Sequence, residues 1–323
     1  MRLATVSALA CALALASACT TSTAPRAAGA GEAAPSARYT FWRPAAVLEA
    51  KEPAEVIKSS TPADWRPIEP ENLMIMELAN GGQVAIELVG DFAPIHVANI
   101  KALARGGWWN PASVYRVQEN YVVQWGLNES DKPFPASVVK LPPAEYDRGL
   151  AGLDVRPLGY PDSYAPMVGH AGGWPIGYDP ENGRAWLAHC YGMVGVGRDL
   201  HPDTGSGGEL YAVTGHAPRQ LDKNIALVGR VVEGLERLTA HPRGTEALGF
   251  IKDPKDQIPI RRIVLAADMP AASRPAFEVM RTDTETFSAY VTGRANRAGT
   301  FFRVPAGGVD VCNVNVPVRR RAS

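Results

Sequence analysis

A mainly β chain is what this sequence predicts: a closed eight-stranded antiparallel barrel capped by two helices, with a long inserted loop region and a C-terminal extension. Three observations predict it. Short apolar runs of two-residue period recur between turn-forming segments, about eight of them, against two segments of helical spacing. Gly 31 and Pro 27 in a chain of 323 residues exceed ordinary usage, which favours a loop-rich β protein. The length allows a sizeable core in one domain with extensions.

The chain starts with a processing pattern over residues 1–18. Arg2 is followed by the Ala/Leu-rich run from Leu3 to Leu15, too short to span a bilayer, and then by Ala16-Ser17-Ala18. This is a secretory signal, and two readings of its end stay open. One is cleavage at the A-x-A site; the other is a lipoprotein-like box in which Cys19 becomes the lipid-bearing N-terminus. Both place the mature protein in the periplasm or on the periplasmic face of the outer membrane, touching a membrane only through that anchor. Residues 19–70 form an N-terminal extension. Up to Ala37 it is an Ala/Thr/Ser/Gly/Pro tether too poor in apolar surface to order itself, and then it gains Phe41, Trp42, Trp65 and a short helix near Ala46 to Leu48.

The barrel is expected over 71–267. Met74, Met76 and Leu78 alternate with outward positions, Asn80-Gly81-Gly82 supplies a turn, and Val84, Ile86 and Leu88 resume the alternation. Pro94 opens a helix whose apolar face is Val97, Ile100, Leu103 and Ala104, ended by Gly106-Gly107. A second hairpin follows, with Val114 to Val117 and Tyr121 to Gln124 flanking Glu119-Asn120. A two-residue loop there would set Arg116 opposite Val123, and a three-residue loop ending at Tyr121 would set it opposite Gln124. From about 127 to 184 periodicity is lost among Pro, Gly, Tyr and Asp, as in an insertion packed by its own aromatics or a lid. Strands over Tyr191 to Val196, Glu209 to Thr214, Ile225 to Val231 and Ile260 to Ala266 complete the barrel, with a helix over Val232 to Ala240. In the extension 268–323, Thr282-x-x-Glu285 reads as a capping box, Phe301 to Val318 as extended chain and Arg319 to Arg321 as a solvated basic tail.

Composition narrows function. Lys+Arg and Asp+Glu balance at 33 each, so no net field draws in nucleic acid. The six histidines have no metal-ligand spacing, so no metal or other cofactor is expected. Ser206 lacks the strand-to-helix context of a hydrolase nucleophile, and Gly195-Val196-Gly197 lacks a phosphate-binding helix. With Cys11 in the signal and Cys19 at its end, Cys190 and Cys312 remain, either paired in an oxidising compartment or as free thiols.

Element order and motifs together resemble the cyclophilin-type peptidyl-prolyl isomerases, from Leu73 to Ala267. The likeness rests on Gln83-Val84-Ala85-Ile86-Glu87-Leu88, Ala93-Pro94 with Ala98-Asn99-Ile100, the segment Tyr115 to Gly126, Gly192 to Arg198, and Leu221-Asp222 leading to Val228-Gly229-Arg230-Val231. The resemblance implies the three-residue loop, with Arg116 and Gln124 as catalytic residues and Tyr121, Val122, Tyr211 and Leu221 as a pocket for proline. It also places Gly197, Arg198, Glu209 and Gln220 at the substrate groove. Three positions depart from the pattern: Glu209 where Gln is usual, Gln220 near the place of a bulky aromatic, and Ile225 for a His. Glu209 would either ion-pair with Arg116 and restrain it, or line a solvated groove. The function implied is isomerisation of X–Pro bonds in exported polypeptides by a monomer. The alternative is a catalytically weak module that binds proline-containing segments.

Overall fold

The computed structural model describes residues 50–127, 132–297 and 301–321. The signal segment, Cys19, the tether, Phe41, Trp42 and the short helix near Ala46 lie outside them.

Eight strands close into an antiparallel barrel in the spatial order Met193–Val196, Leu210–Val213, Val122–Gly126, Ala112–Val117, Ile258–Leu265, Leu73–Leu78, Gln83–Leu88 and Leu227–Glu233. Inward residues such as Met74, Met76, Ile86, Trp125, Val194 and Ile263 fill it. The expected strands are all present, with ends shifted by a few residues. Helix Pro94–Arg105 packs its Val97, Ile100 and Leu103 face into the same core, and Leu238 of helix Leu235–Thr239 joins it. The Glu145 carboxylate accepts the backbone N–H groups of Ile95 and His96, at 3.0 Å each, and so caps the helix where its orphan donors and dipole favour an anion.

The region from 127 to 184, expected as a loop-rich insertion packed by its own aromatics or as a lid, is more regular than that over its described residues. It builds a five-stranded sheet in the order Arg148–Gly149, Arg184–Leu187, Trp174–Asp179, Met167–Ala171 and Val155–Pro157, ending three residues beyond the expected limit. Its strands are short and interrupted by Gly and Pro, which erases the two-residue period. Those glycines do structural work: Gly172 and Gly173 turn a hairpin at φ +58° and +91°, and a Cβ on Gly177 would sit 2.6 Å from the Trp186 indole nitrogen. Val168, Ile176 and Trp186 of this sheet pack with Val89, Phe92 and Leu227 of the barrel, and with Val122 and Tyr211.

The extension also differs from expectation. Strands Trp65–Pro67, Phe277–Met280 and Val318–Arg320 form a three-stranded sheet, and helix Glu285–Ala295 packs beside helix Pro53–Ser59. Together they bury Leu73, Ile75 and Ala85, the barrel positions expected to face outward, so Leu73–Leu78 is covered on both faces. Thr284, not Thr282, caps the helix by accepting the Phe287 N–H at 3.2 Å, while the buried Thr282 hydroxyl accepts the Gly173 N–H. Phe301 to Val318 is largely irregular, with a 3-10 turn at Val311–Asn313. The final arginines are engaged: Arg319 pairs with Glu278 and stacks on Trp65 at 4.0 Å, and Arg320 pairs with Glu233. Cys190 and Cys312 are joined in a disulfide, which ties this extension to the barrel.

Candidate active site

The hairpin Ala112–Val117 and Val122–Gly126 carries the polar pair. Its turn spans Glu119 to Tyr121, with Asn120 at φ +51°, and the register sets Arg116 opposite Gln124 and Val117 opposite Val123. Between Val114 and Arg116 the register shifts by one residue, a β-bulge at Tyr115. On a regular strand Tyr115 and Arg116 would face opposite ways; here both side chains reach Gln124. Arg116 Nη1 donates to Gln124 Oε1 at 2.9 Å, and Gln124 Nε2 donates to the Tyr115 hydroxyl oxygen at 2.6 Å.

Arg116 is held from several directions. Its Nε donates to the Leu248 carbonyl at 2.8 Å and its Nη2 to Gln118 Oε1, while its guanidinium carbon lies 5.5 Å from the Phe250 ring and 5.8 Å from the Tyr121 ring. Burial pulls its pKa below the usual arginine value, and the neighbouring tyrosines oppose that shift. Three of its five N–H donors are thus committed to protein acceptors.

Beside it lies a cavity of about 710 Å³. Tyr211 pairs directly with Gln124 across the neighbouring strand, and its hydroxyl meets His189 Nε2 at 3.0 Å. Its ring fits only because residue 195 is glycine: a Cβ there would lie 2.3 Å from Tyr211 Cζ. His189 is in turn held by Asp222 at 2.9 Å, and Asp222 by Arg219 at 3.0 Å. Leu221 ends the 3-10 turn Ala217–Leu221 at the far wall, and Gln220 Nε2 lies 3.5 Å from the Tyr121 hydroxyl. Arg198 donates to the Asn224 and Asp199 carbonyls at the rim.

Nine of the ten residues expected at the site therefore line this one cavity: Arg116, Tyr121, Val122, Gln124, Gly197, Arg198, Tyr211, Gln220 and Leu221. Glu209 lines the adjoining cavity, of about 420 Å³, which shares Gln124, Gly197, Arg198, Asp199 and Phe250. Of the two readings of Glu209, the ion pair with Arg116 is not formed among the described residues: Tyr115 stands between them, its hydroxyl donating to Glu209 Oε2 at 2.6 Å. Sequence reasoning also missed Tyr115, Gln118, Leu248 and Phe250. Gln118 was findable, two residues from Arg116 on the same strand face. Leu248 and Phe250 arrive from a distant loop with no local signal.

Comparison with known proteins agrees with this architecture. The family model described as cyclophilin type peptidyl-prolyl cis-trans isomerase/CLD matches residues 73–264. Proteins described as probable peptidyl-prolyl cis-trans isomerases from Brucella suis biovar 1 and Brucella melitensis biotype 1 are each 29% identical over 190 residues, 58% of this chain and 80% of theirs. The crystal structure of cyclophilin AquaCyp293 from Hirschia baltica has the same fold, with a TM-score of 0.61 at 24% identity over 85% of this chain and 99% of that one. That coverage reaches well beyond the family domain. The chain belongs to the cyclophilin-type peptidyl-prolyl cis-trans isomerases and is an enzyme of that class.

Proposed function

We propose that Arg116 and Gln124 accelerate rotation about X–Pro bonds in polypeptides exported to the cell envelope, with the prolyl ring seated on Tyr121, Val122, Tyr211 and Leu221. The observation that carries this reading is a guanidinium fixed by three protein acceptors beside an apolar floor. Rotation is slow because amide resonance makes a barrier of roughly 18–20 kcal/mol, and no bond has to break to cross it. In the twisted transition state the prolyl nitrogen becomes pyramidal and gains a lone pair that Arg116 can hydrogen-bond, an interaction missing from both planar ground states. Each ~1.4 kcal/mol of that difference is about tenfold in rate. Gln124 orients the substrate carbonyl, and Gly197, Arg198 and Gln220 border the flanking residues. No group titrates in the step, so a flat rate profile near neutral pH is expected.

Export is supported by the signal pattern of residues 1–18 and by the Cys190–Cys312 disulfide, a bond suited to an oxidising compartment. On this reading the protein works as a monomer in the periplasm or anchored through Cys19 at the outer membrane. Palmitate label lost in Cys19→Ser would support the anchor, and an unlabelled soluble periplasmic protein would support cleavage. The catalytic assignment is tested by a proline-peptide isomerisation assay on the purified protein. Arg116→Ala is expected to lower kcat/KM by about 100-fold. Acceleration that survives this change refutes the role of Arg116, and binding with no acceleration in the wild type points to a binding module instead.

A further inference from the structure

A chain of hydrogen bonds runs from the Glu209 carboxylate to the Arg116 guanidinium. Tyr115 Oη donates to Glu209 Oε2 at 2.6 Å, Gln124 Nε2 donates to Tyr115 Oη at 2.6 Å, and Arg116 Nη1 donates to Gln124 Oε1 at 2.9 Å. The Leu127 backbone N–H donates to the other carboxylate oxygen, Oε1, at 2.9 Å. Both ends of the chain set the direction of its bonds: the Arg116 guanidinium can only donate and takes the Gln124 carbonyl oxygen, and the Glu209 carboxylate can only accept. A carboxylate has no proton to give, so Tyr115 must donate to it. A phenol has a single proton, so its oxygen can then only accept. Gln124 must therefore turn its NH2 towards Tyr115 and its carbonyl oxygen towards Arg116.

The carboxylate has a built seat. A Cβ on Gly126 would lie 1.8 Å from Glu209 Oε2, so glycine at that position makes the room. Tyr115 is buried, and burial together with the Glu209 charge raises its pKa far above the ordinary tyrosine value, which keeps the proton that the chain needs. The β-bulge brings Tyr115 to the side of Gln124 that Arg116 does not occupy. Without an acceptor at 209 the phenol loses the bond that orients it, and Gln124 keeps only its anchor on Arg116.

We infer that Glu209 and Tyr115 are positioning residues that fix the amide orientation of Gln124, and through it the guanidinium of Arg116, leaving one amide N–H of Gln124 for the substrate carbonyl. This rests on the roles proposed above for Arg116 and Gln124. The departure from the family pattern at 209 is then a working part of the site rather than a mark of lost activity.

The test combines kinetics with the side-chain amide resonances of Gln124 in ¹⁵N-labelled full-length protein, assigned with Gln124→Ala. Glu209→Leu and Tyr115→Phe are each expected to lower kcat/KM about tenfold, mainly through kcat, and the double variant to be no worse than either alone. Glu209→Gln, which keeps one acceptor oxygen, is expected to recover most of the rate. The Gln124 amide signals should move in Glu209→Leu and Tyr115→Phe and return towards wild type in Glu209→Gln. Additive losses in the double variant, or Gln124 signals unmoved by either single change, would overturn the inference. If Glu209→Leu does not fold, Tyr115→Phe and Glu209→Gln decide the matter. A wild type without isomerase activity would count against the proposed function, while the amide signals would still test the hydrogen-bond chain.

Discussion

The carbonyl oxygen of Leu248 accepts a hydrogen bond from Nε of Arg116 at 2.8 Å, across 132 residues of sequence. The loop that delivers it depends on glycine. Gly249 sits at φ +81°, and a Cβ there would lie 2.6 Å from the Gln118 Cα. Phe250 follows at once, bridged to Arg116 through the backbone and stacked near Tyr115 at 5.9 Å.

Gly249→Ala should therefore push the Leu248 carbonyl and the Phe250 ring away from Arg116. The expected result is a roughly tenfold loss in kcat/KM, from one guanidinium hydrogen bond and a disturbed aromatic contact, with about 1 kcal/mol of lost stability from strained backbone. Steady-state kinetics with a proline peptide and a thermal melt check both. Unchanged kinetics would show that the loop is not needed to hold Arg116.

The pocket floor makes a separate prediction. In Gly195→Ala the new methyl would lie 2.3 Å from Tyr211 Cζ, so the ring must tilt and loosen its 3.0 Å contact with His189. Tyr211 shapes the cavity but donates nothing to the prolyl nitrogen, so KM should rise several-fold while kcat changes less. A fall confined to kcat would assign Tyr211 a different role.

Which parts of this site are legible in the sequence follows from the range of the forces involved. Arg116 and Gln124 share one hairpin, so turn chemistry and a two-residue period narrow their pairing to two registers, and the family resemblance selects the one that sets them opposite each other. Leu73 and Ile75 carried a signal that alternation alone misreads: an unbroken apolar run means burial on both faces, here under the C-terminal extension. The sheet from Arg148 to Leu187 leaves no periodic trace, because its glycines serve close packing rather than alternation. The Leu248 carbonyl is beyond any local rule, since a backbone acceptor has no residue type. Glu209 was noticed as a departure, but its partner could not be read, because the bulge that brings in Tyr115 depends on pairing with a strand already in place.

The disulfide predicts the behaviour of the extension. Cys190 and Cys312 are 122 residues apart, and closing a loop of that length restricts the unfolded chain by about 4–5 kcal/mol in the chain-entropy account. The double variant Cys190→Ala with Cys312→Ala should lower the denaturant midpoint accordingly, and wild type should show the same loss under reductant. The Cys312 sulfur lies 3.9 Å from Arg219 Nη1, which belongs to the group bracing His189 and Tyr211, so a smaller rise in KM should accompany the loss. Equal stability with and without reductant would count against this account.

His170 makes the extension sensitive to acid. Its side chain is fully buried between the inserted sheet and helix Glu285–Ala295, edge-on to Phe287 at 5.1 Å, and neither ring nitrogen makes a well-formed hydrogen bond among the described residues. Burial lowers its pKa from 6.5 to about 4; the Val314 backbone opposes this in part and the Arg230 charge adds to it. The folded protein thus keeps the ring neutral where the unfolded chain takes up a proton. As pH falls from 6.5 towards 4, the unfolded state binds more protons and stability drops, by about 3 kcal/mol from this group, and below 4 its contribution levels off. Above 6.5 it contributes no slope. His170→Leu removes the titrating imidazole from the core, so its melting temperature should exceed that of wild type at pH 4.5 by more than at pH 7.5. Equal differences at the two pH values would show that His170 does not set the acid response.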